Sequence, residues 1–374
     1  MKWKPFRRRL GGLVQVVLVS LSVAILAGEV YYRFISKVGY FTPEILKSRG
    51  LEYEPSLFSA YTLPQSEQTA GGKYYINRLG YRGHDFSPAK PEGKLRLMFF
   101  GGSSVFDPGG LNDEDWPHRI EQVLHEKGFT NVEVINAGVV GYNSSDSLGR
   151  FVAEGHTFTP DYVFFYSAWN DIKYFKSAKN LLRRYELYTK SPIYNYNSGL
   201  DRFLCEHSQV YAHLRNAYYQ QMESRAAASR VGPGDYASDV NYEHLKQYRL
   251  SLEMFVDAAR DIGATPVLLT EPTLAARNNS EFDKSRIRYQ SVQLNHEQLC
   301  DAFERIENVV RNVAAEKQVA FIDASSHLSG RTDLFWDHGH LTMKGSETFA
   351  QLITEEFPAI KASRDADARQ QDAK

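Results

Sequence analysis

The chain has 374 residues, with 44 Lys and Arg against 45 Asp and Glu for a net charge of −1, and is 43% hydrophobic. This is ordinary globular usage, enough for one large domain with extensions or two modest ones, so most of the chain can build a core. The charge balance gives no reason to expect nucleic acid as a partner, while 23 Tyr and 22 Phe are compatible with carbohydrate or lipid contacts.

The first nine residues, MKWKPFRRR, carry Lys2, Lys4, Arg7, Arg8 and Arg9, and no charge follows from Leu10 to Gly28. As a helix this uncharged stretch is roughly 28 Å long, near the thickness of a bilayer core. Residues 1–35 therefore read as a cytoplasmic basic segment and an uncleaved transmembrane signal anchor. A cleaved signal peptide ending near Ile25-Leu26-Ala27 is the alternative, and a buried soluble helix fits the flanking charges poorly. The basic flank stays cytoplasmic by the positive-inside rule, which places everything after Glu29 on the periplasmic or extracellular side. Cys205 and Cys300 then face an oxidising compartment and can pair, although two cysteines at this separation specify no geometry.

Residues 36–94 read as a linker and a preamble of short strands and turns, including YYINRLGYRGHDF. From Leu95 the texture changes. Short, nearly continuous apolar runs at 95–101, 132–138, 162–168, 265–272 and 319–325 suit strands buried on both faces of a parallel sheet. Helical patterns fall between and after them at 113–127, 144–157, 242–262, 291–317 and 344–356. The alternation predicts an α/β domain over 95–358, a three-layer α/β/α sandwich around a central parallel sheet of about five strands. Residues 172–240 interrupt the rhythm and read as an insertion over one end of the sheet, shaping a site there. The polar tail, 359–374, is expected to be disordered.

Three strand ends and one stretch near the C-terminus carry residues with chemical potential. FFGGSS ends the first parallel strand, where Gly101 and Gly102 permit a tight turn and close backbone approach, and Ser103 sits at the turn with its hydroxyl exposed. An ordinary strand-to-helix turn with a Ser N-cap explains the same residues. The next strand ends INAGVVGYNSSDS, in which the Gly141 amide can point into the same crevice. The third ends YSAWNDI, where Asn170 offers an amide donor, or Asn170 and Asp171 simply start a helix. In FWDHGHLTMKG, Asp337 stands three residues before His340, so it can hold the imidazole Nδ1–H and leave Nε2 as a base. A metal site built from Asp337, His338 and His340 is a competing reading that no other ligand cluster supports.

Taken together, Ser, Gly, Asn and Asp-x-x-His in this order resemble the SGNH (GDSL-like) hydrolase family over about residues 95–358. Gly101-Gly102-Ser103 matches its Gly-Asp-Ser block, Asn136 to Gly141 its second block, Ala168-Trp169-Asn170-Asp171 its Gly-x-Asn-Asp block, and Asp337-His338-Gly339-His340 its last. INRLGYRGHDF ahead of KPEGKLRLMFFGGSS also looks like the lead-in of membrane-anchored, Gly-Gly-Ser-Ser branches of that superfamily. The resemblance implies an SGNH, flavodoxin-like fold and an esterase without cofactor or metal. In it Ser103 is the nucleophile, His340 the base and Asp337 its orienting carboxylate, and the Ser103 amide, Gly141 and Asn170 form the oxyanion hole. Ser104 is a reserve nucleophile. The ordinary α/β-hydrolase elbow, G-x-S-x-G, does not match Gly-Gly-Ser-Ser-Val.

The chain departs from the family pattern twice: Gly102 replaces the aspartate beside the nucleophile, and Ala168 replaces the glycine of the third block. The implied activity is removal of a small, acetyl-like acyl group from a carbohydrate or lipid ester. The same residues also serve an acyltransferase in polysaccharide O-acylation, and the two departures keep open an inactive sugar-binding scaffold.

Overall fold

The computed structural model describes residues 4–35, 53, 56–59, 61–65, 68–70, 74–110, 114–175, 198–228, 236 and 240–357. The expected tail at 359–374, all of 36–50 and the stretch 176–197 inside the expected insertion lie outside the described residues. The chain divides into two compact units, one from 1–51 with 189–229, the other from 52–188 with 230–374.

In the first unit a helix runs from Lys4 to Val30 and continues as a π-helical turn, Tyr31–Ile35. Within it Val14–Ile35 is long and apolar enough to cross a membrane. The helices Gly199–His207 and Gln209–Ala228 belong to this unit. They are the described part of the expected insertion, and their buried Asp201–Arg215 pair, at 2.8 Å, ties one to the other.

The second unit holds the sheet. A short antiparallel pair, β1 (Gln68–Ala70) and β2 (Tyr74–Ile76), comes first. Five strands then pair in parallel: β3 (Leu95–Gly101), β4 (Val132–Asn136), β5 (Tyr162–Tyr166), β6 (Thr265–Leu269) and β7 (Ala320–Ile322), in the order β4-β3-β5-β6-β7. They coincide with the five apolar runs, several ending two or three residues early where the chain turns into the loops that carry polar groups. Successive strand residues point to opposite faces, and β3 shows what covers each. Phe99 meets Trp116, whose ring meets Phe349, while Phe100 meets Phe151 and Phe255. Helices Trp116–Glu126 and Met343–Glu356 therefore cover one face, and Ser144–Glu154 and His244–Asp261 the other, giving three layers.

The helix starts follow local chemistry. Asp115, Asn143, Asn295 and Thr342 each accept a hydrogen bond from a backbone N–H in the first turn of the helix they precede. The pattern expected as one helix over 291–317 divides into Tyr289–Val292 and His296–Lys317, because Gln293 takes φ +55° and Asn295 starts a new capping box. Since β3 is flanked by β4 on one side and β5 on the other, the strand order reverses at β3. Such switch points open a crevice at the carboxyl ends of the strands, and Gly101 is the carboxyl end of β3.

Candidate active site

β3 leads through Gly101 and Gly102 into a single helical turn, Ser103–Phe106, which puts Ser103 at that switch point. The turn is tight. A Cβ on Gly101 would lie 2.2 Å from the Tyr166 carbonyl oxygen, and one on Gly102 would lie 2.6 Å from the Tyr142 carbonyl and 2.9 Å from Asn170 Nδ2. Only residues without a side chain fit between the ends of β3 and β5 and the loop after β4. The neighbouring loop is tied in by the ladder itself, since Ala137 N donates to Phe99 O (2.9 Å) and Val139 N to Gly101 O (3.1 Å). Gly141 in that loop takes φ +90°, a conformation side chains rarely adopt.

Ser103 Oγ lies 2.9 Å from His340 Nε2, and His340 Nδ1 lies 2.8 Å and 2.9 Å from the two oxygens of Asp337. Asp337 Oδ1 also accepts from the Gly339 and His340 amides, at 3.1 and 3.0 Å, so the carboxylate and the imidazole are fixed by one turn of chain. Burial works against the charged Asp337, but the His340 hydrogen bonds and the neighbouring His338 outweigh it and hold the carboxyl well below its usual range. The indole of Trp336 stacks on His340 at 5.1 Å, and Arg288 Nη2 reaches Asp337 Oδ2 at 3.3 Å. Carboxylate, imidazole and hydroxyl thus form one hydrogen-bonded chain, the order needed to draw a proton off a serine.

Asn170 Nδ2 donates to Tyr142 O at 2.8 Å, which leaves a second N–H on a nitrogen that lies beside Gly102. Its Oδ1 accepts from Lys173 Nζ, and this fixes which way the amide faces. Burial pushes the Lys173 ammonium down to about 8, with Glu271 opposing. Among the described residues the Ser103 and Gly141 amides make no hydrogen bond. Asp171 is buried and accepts from Ser144 Oγ (2.6 Å) and Ser167 Oγ (2.8 Å), joining the third loop to the helix after the second. Burial raises it to about 6 against those hydrogen bonds.

Ser104 turns its hydroxyl to Glu271 Oε1, at 2.7 Å, so it is committed away from His340. Ala168 takes φ −156°, outside the left-handed region, and its methyl is buried. Asp337, His338 and His340 offer ligand atoms within 4.8 Å of one another. Both His340 ring nitrogens are engaged in the chain from Asp337 to Ser103, and the buried His338 ring lies tilted against Trp169 with the centroids 3.7 Å apart. Sequence reasoning did not single out Glu271, Lys173 or Trp336. Glu271 alone had a usable signal, as an acidic residue just past the carboxyl end of a buried parallel strand.

Searching curated proteins by sequence finds no match. Solved structures with a similar course include an acetyl xylan esterase (13% identity, 70% of this chain and 100% of that one, TM-score 0.43). A catalytic mutant of an acetylxylan esterase from Geobacillus stearothermophilus gives 15% identity, 72% and 96% coverage and TM-score 0.42. A lipase/acylhydrolase from Enterococcus faecalis gives 15%, 70% and 94%, and 0.41. The family model that matches is the GDSL-like lipase/acylhydrolase model, over residues 99–348, which begins inside β3 and runs past His340 into the last helix. The five-stranded parallel sheet and this match over most of the chain lead to one conclusion: the chain belongs to the GDSL-like lipase/acylhydrolase family.

Proposed function

We propose that this protein is a serine ester hydrolase of the SGNH type, held in a membrane by its N-terminal helix and working outside the cytoplasm on small acyl esters of a carbohydrate or lipid. The observation that carries the reading is the unbroken hydrogen-bond chain from Asp337 through His340 to Ser103 Oγ. In this reading Ser103 Oγ attacks the ester carbonyl while His340 Nε2 takes its proton, and Asp337 balances the imidazolium. The tetrahedral oxyanion is met by the Ser103 and Gly141 amides and the second N–H of Asn170. Such a donor is worth on the order of 3 kcal/mol when removed. Collapse expels the alcohol, which takes the proton from His340, and a water activated by the same base then frees Ser103 from the acyl group. The anchoring rests on the five basic residues before an apolar helix of membrane-crossing length.

A fluorophosphonate probe on the full chain, followed by peptide mass mapping, tests the mechanism. The expected result is one adduct on Ser103, absent in His340→Ala, with turnover of acetyl esters lost in the same variant. Absence of adduct on folded protein, or full turnover by His340→Ala, would remove the proposed roles.

A further inference from the structure

β6 ends at Leu269, and two residues further on the buried Glu271 places its carboxylate beneath the loops of the site. Glu271 Oε1 accepts from Ser104 Oγ at 2.7 Å and Oε2 from the Trp169 amide at 3.3 Å, with the Ala168 amide as a further donor. Ser104 directly follows the nucleophile, and Trp169 directly precedes Asn170. One carboxylate therefore spans the two pieces of chain that carry the Ser103 amide and the Asn170 side chain. A Cβ on Gly339 would lie 3.9 Å from Oε1, so the Asp337–His340 turn passes beside the same group.

Both pieces of chain are short. Ser103–Phe106 and Trp169–Ile172 are four-residue turns, and a single turn of helix has little rigidity of its own. Trp116 Nε1 steadies the first by donating to the Ser104 carbonyl at 2.7 Å. The close packing of Gly102 against Asn170 Nδ2 sets how near the two turns can come. The Glu271 bridge sets how far they can part. Oxyanion donors act over a narrow range, about 2.7–3.1 Å from the developing charge, so their separation has to be held by supporting bonds.

We infer that Glu271 is a positioning residue for the reaction: by bonding Ser104 and Trp169 at once, it sets the gap between the Ser103 amide and Asn170 in which the oxyanion forms. The inference rests on the serine-hydrolase reading above. Glu271 acts through its neighbours, since among the described residues it makes no hydrogen bond to Ser103 or His340. A carboxamide can replace it in this task, with its oxygen toward the Trp169 and Ala168 amides and its NH2 donating to Ser104 Oγ, because a hydroxyl accepts as well as donates. A methionine, with almost the same reach, makes neither bond.

The test compares Ser104→Ala, Glu271→Met and Glu271→Gln in the full chain. Steady-state hydrolysis of p-nitrophenyl acetate, the second-order rate of fluorophosphonate labelling and thermal melts are measured for each. Removing an oxyanion donor costs about 10²–10³ in kcat, so displacing one is expected to cost about tenfold. The expected result is that loss in kcat and in labelling rate for Ser104→Ala and Glu271→Met, with KM within about twofold of wild type. Glu271→Gln should recover most of it, and the double variant should lose no more than Glu271→Met alone, because both cut one bridge. Where Glu271→Met does not fold, Ser104→Ala and Glu271→Gln carry the comparison. Wild-type kcat in Ser104→Ala, or a loss confined to KM or to the melting temperature, would overturn the inference. So would a Glu271→Gln as slow as Ser104→Ala, which would assign the effect to the carboxylate's charge beside Lys173. A folded wild type that neither hydrolyses the ester nor takes up the fluorophosphonate would remove the hydrolase reading itself, and this inference with it.

Discussion

Gly102 explains at the level of one residue why this chain departs from the Gly-Asp-Ser pattern. Its φ of −85° is open to any residue, so backbone strain does not select glycine here. Space does, because a carbonyl oxygen and the Asn170 amide occupy the volume of a side chain. Gly102→Ala should therefore cost about 1–3 kcal/mol by overpacking and lower turnover by displacing Asn170; Gly102→Asp should cost more. Thermal melts and ester hydrolysis rates check both, and an Asp variant as stable and active as wild type would show that the loop moves aside. Ser103, Asp337 and His340 were legible in the sequence because each stands in a short pattern whose spacing has a mechanical meaning. Glu271 and Lys173 were not, since their importance comes from lying beside Ser104 and Asn170 in space.

Elements are joined at this site by buried carboxyls. Asp171 links the end of β5, through Ser167, to the start of the Ser144–Glu154 helix. Its folded pKa of about 6 lies above the ordinary 3.8, so the folded state binds its proton more tightly than the unfolded chain does. Stability contributed by this group is then present at low pH and lost as pH rises through about 6. Compared with Asp171→Asn, wild type should gain about 2 kcal/mol between pH 7 and pH 4. Melting curves of both proteins across that range test it, and a constant difference would mean that Asp171 keeps its charge in the fold. The five strands were legible because each is a short, nearly continuous apolar run, interrupted only by Arg96 in β3 and Glu133 in β4 among charged residues. The break at Gln293 was not, because a left-handed residue inside a helical pattern carries no periodicity signal.

Over the whole molecule, the two cysteines belong to different compact units and are both free and buried. Cys300 is pushed up to about 11 by burial, which keeps it as an unreactive thiol. A thiol reagent should find two groups only after denaturation, and a reductant should leave the melting temperature unchanged; a reductant-sensitive transition would instead reveal a disulfide. The site itself spans the chain, for Ser103 and its hydrogen-bond partner His340 are 237 residues apart. During synthesis the serine emerges long before the histidine, and closing so large a loop comes late in folding because its entropy must be met before the contact forms. A chain in which His340 has not yet packed against Ser103 lacks the hydrogen bond on which the proposed mechanism depends, and its serine is an ordinary hydroxyl. Under the proposed mechanism, the nucleophile is therefore assembled only when the C-terminal helix layer is complete.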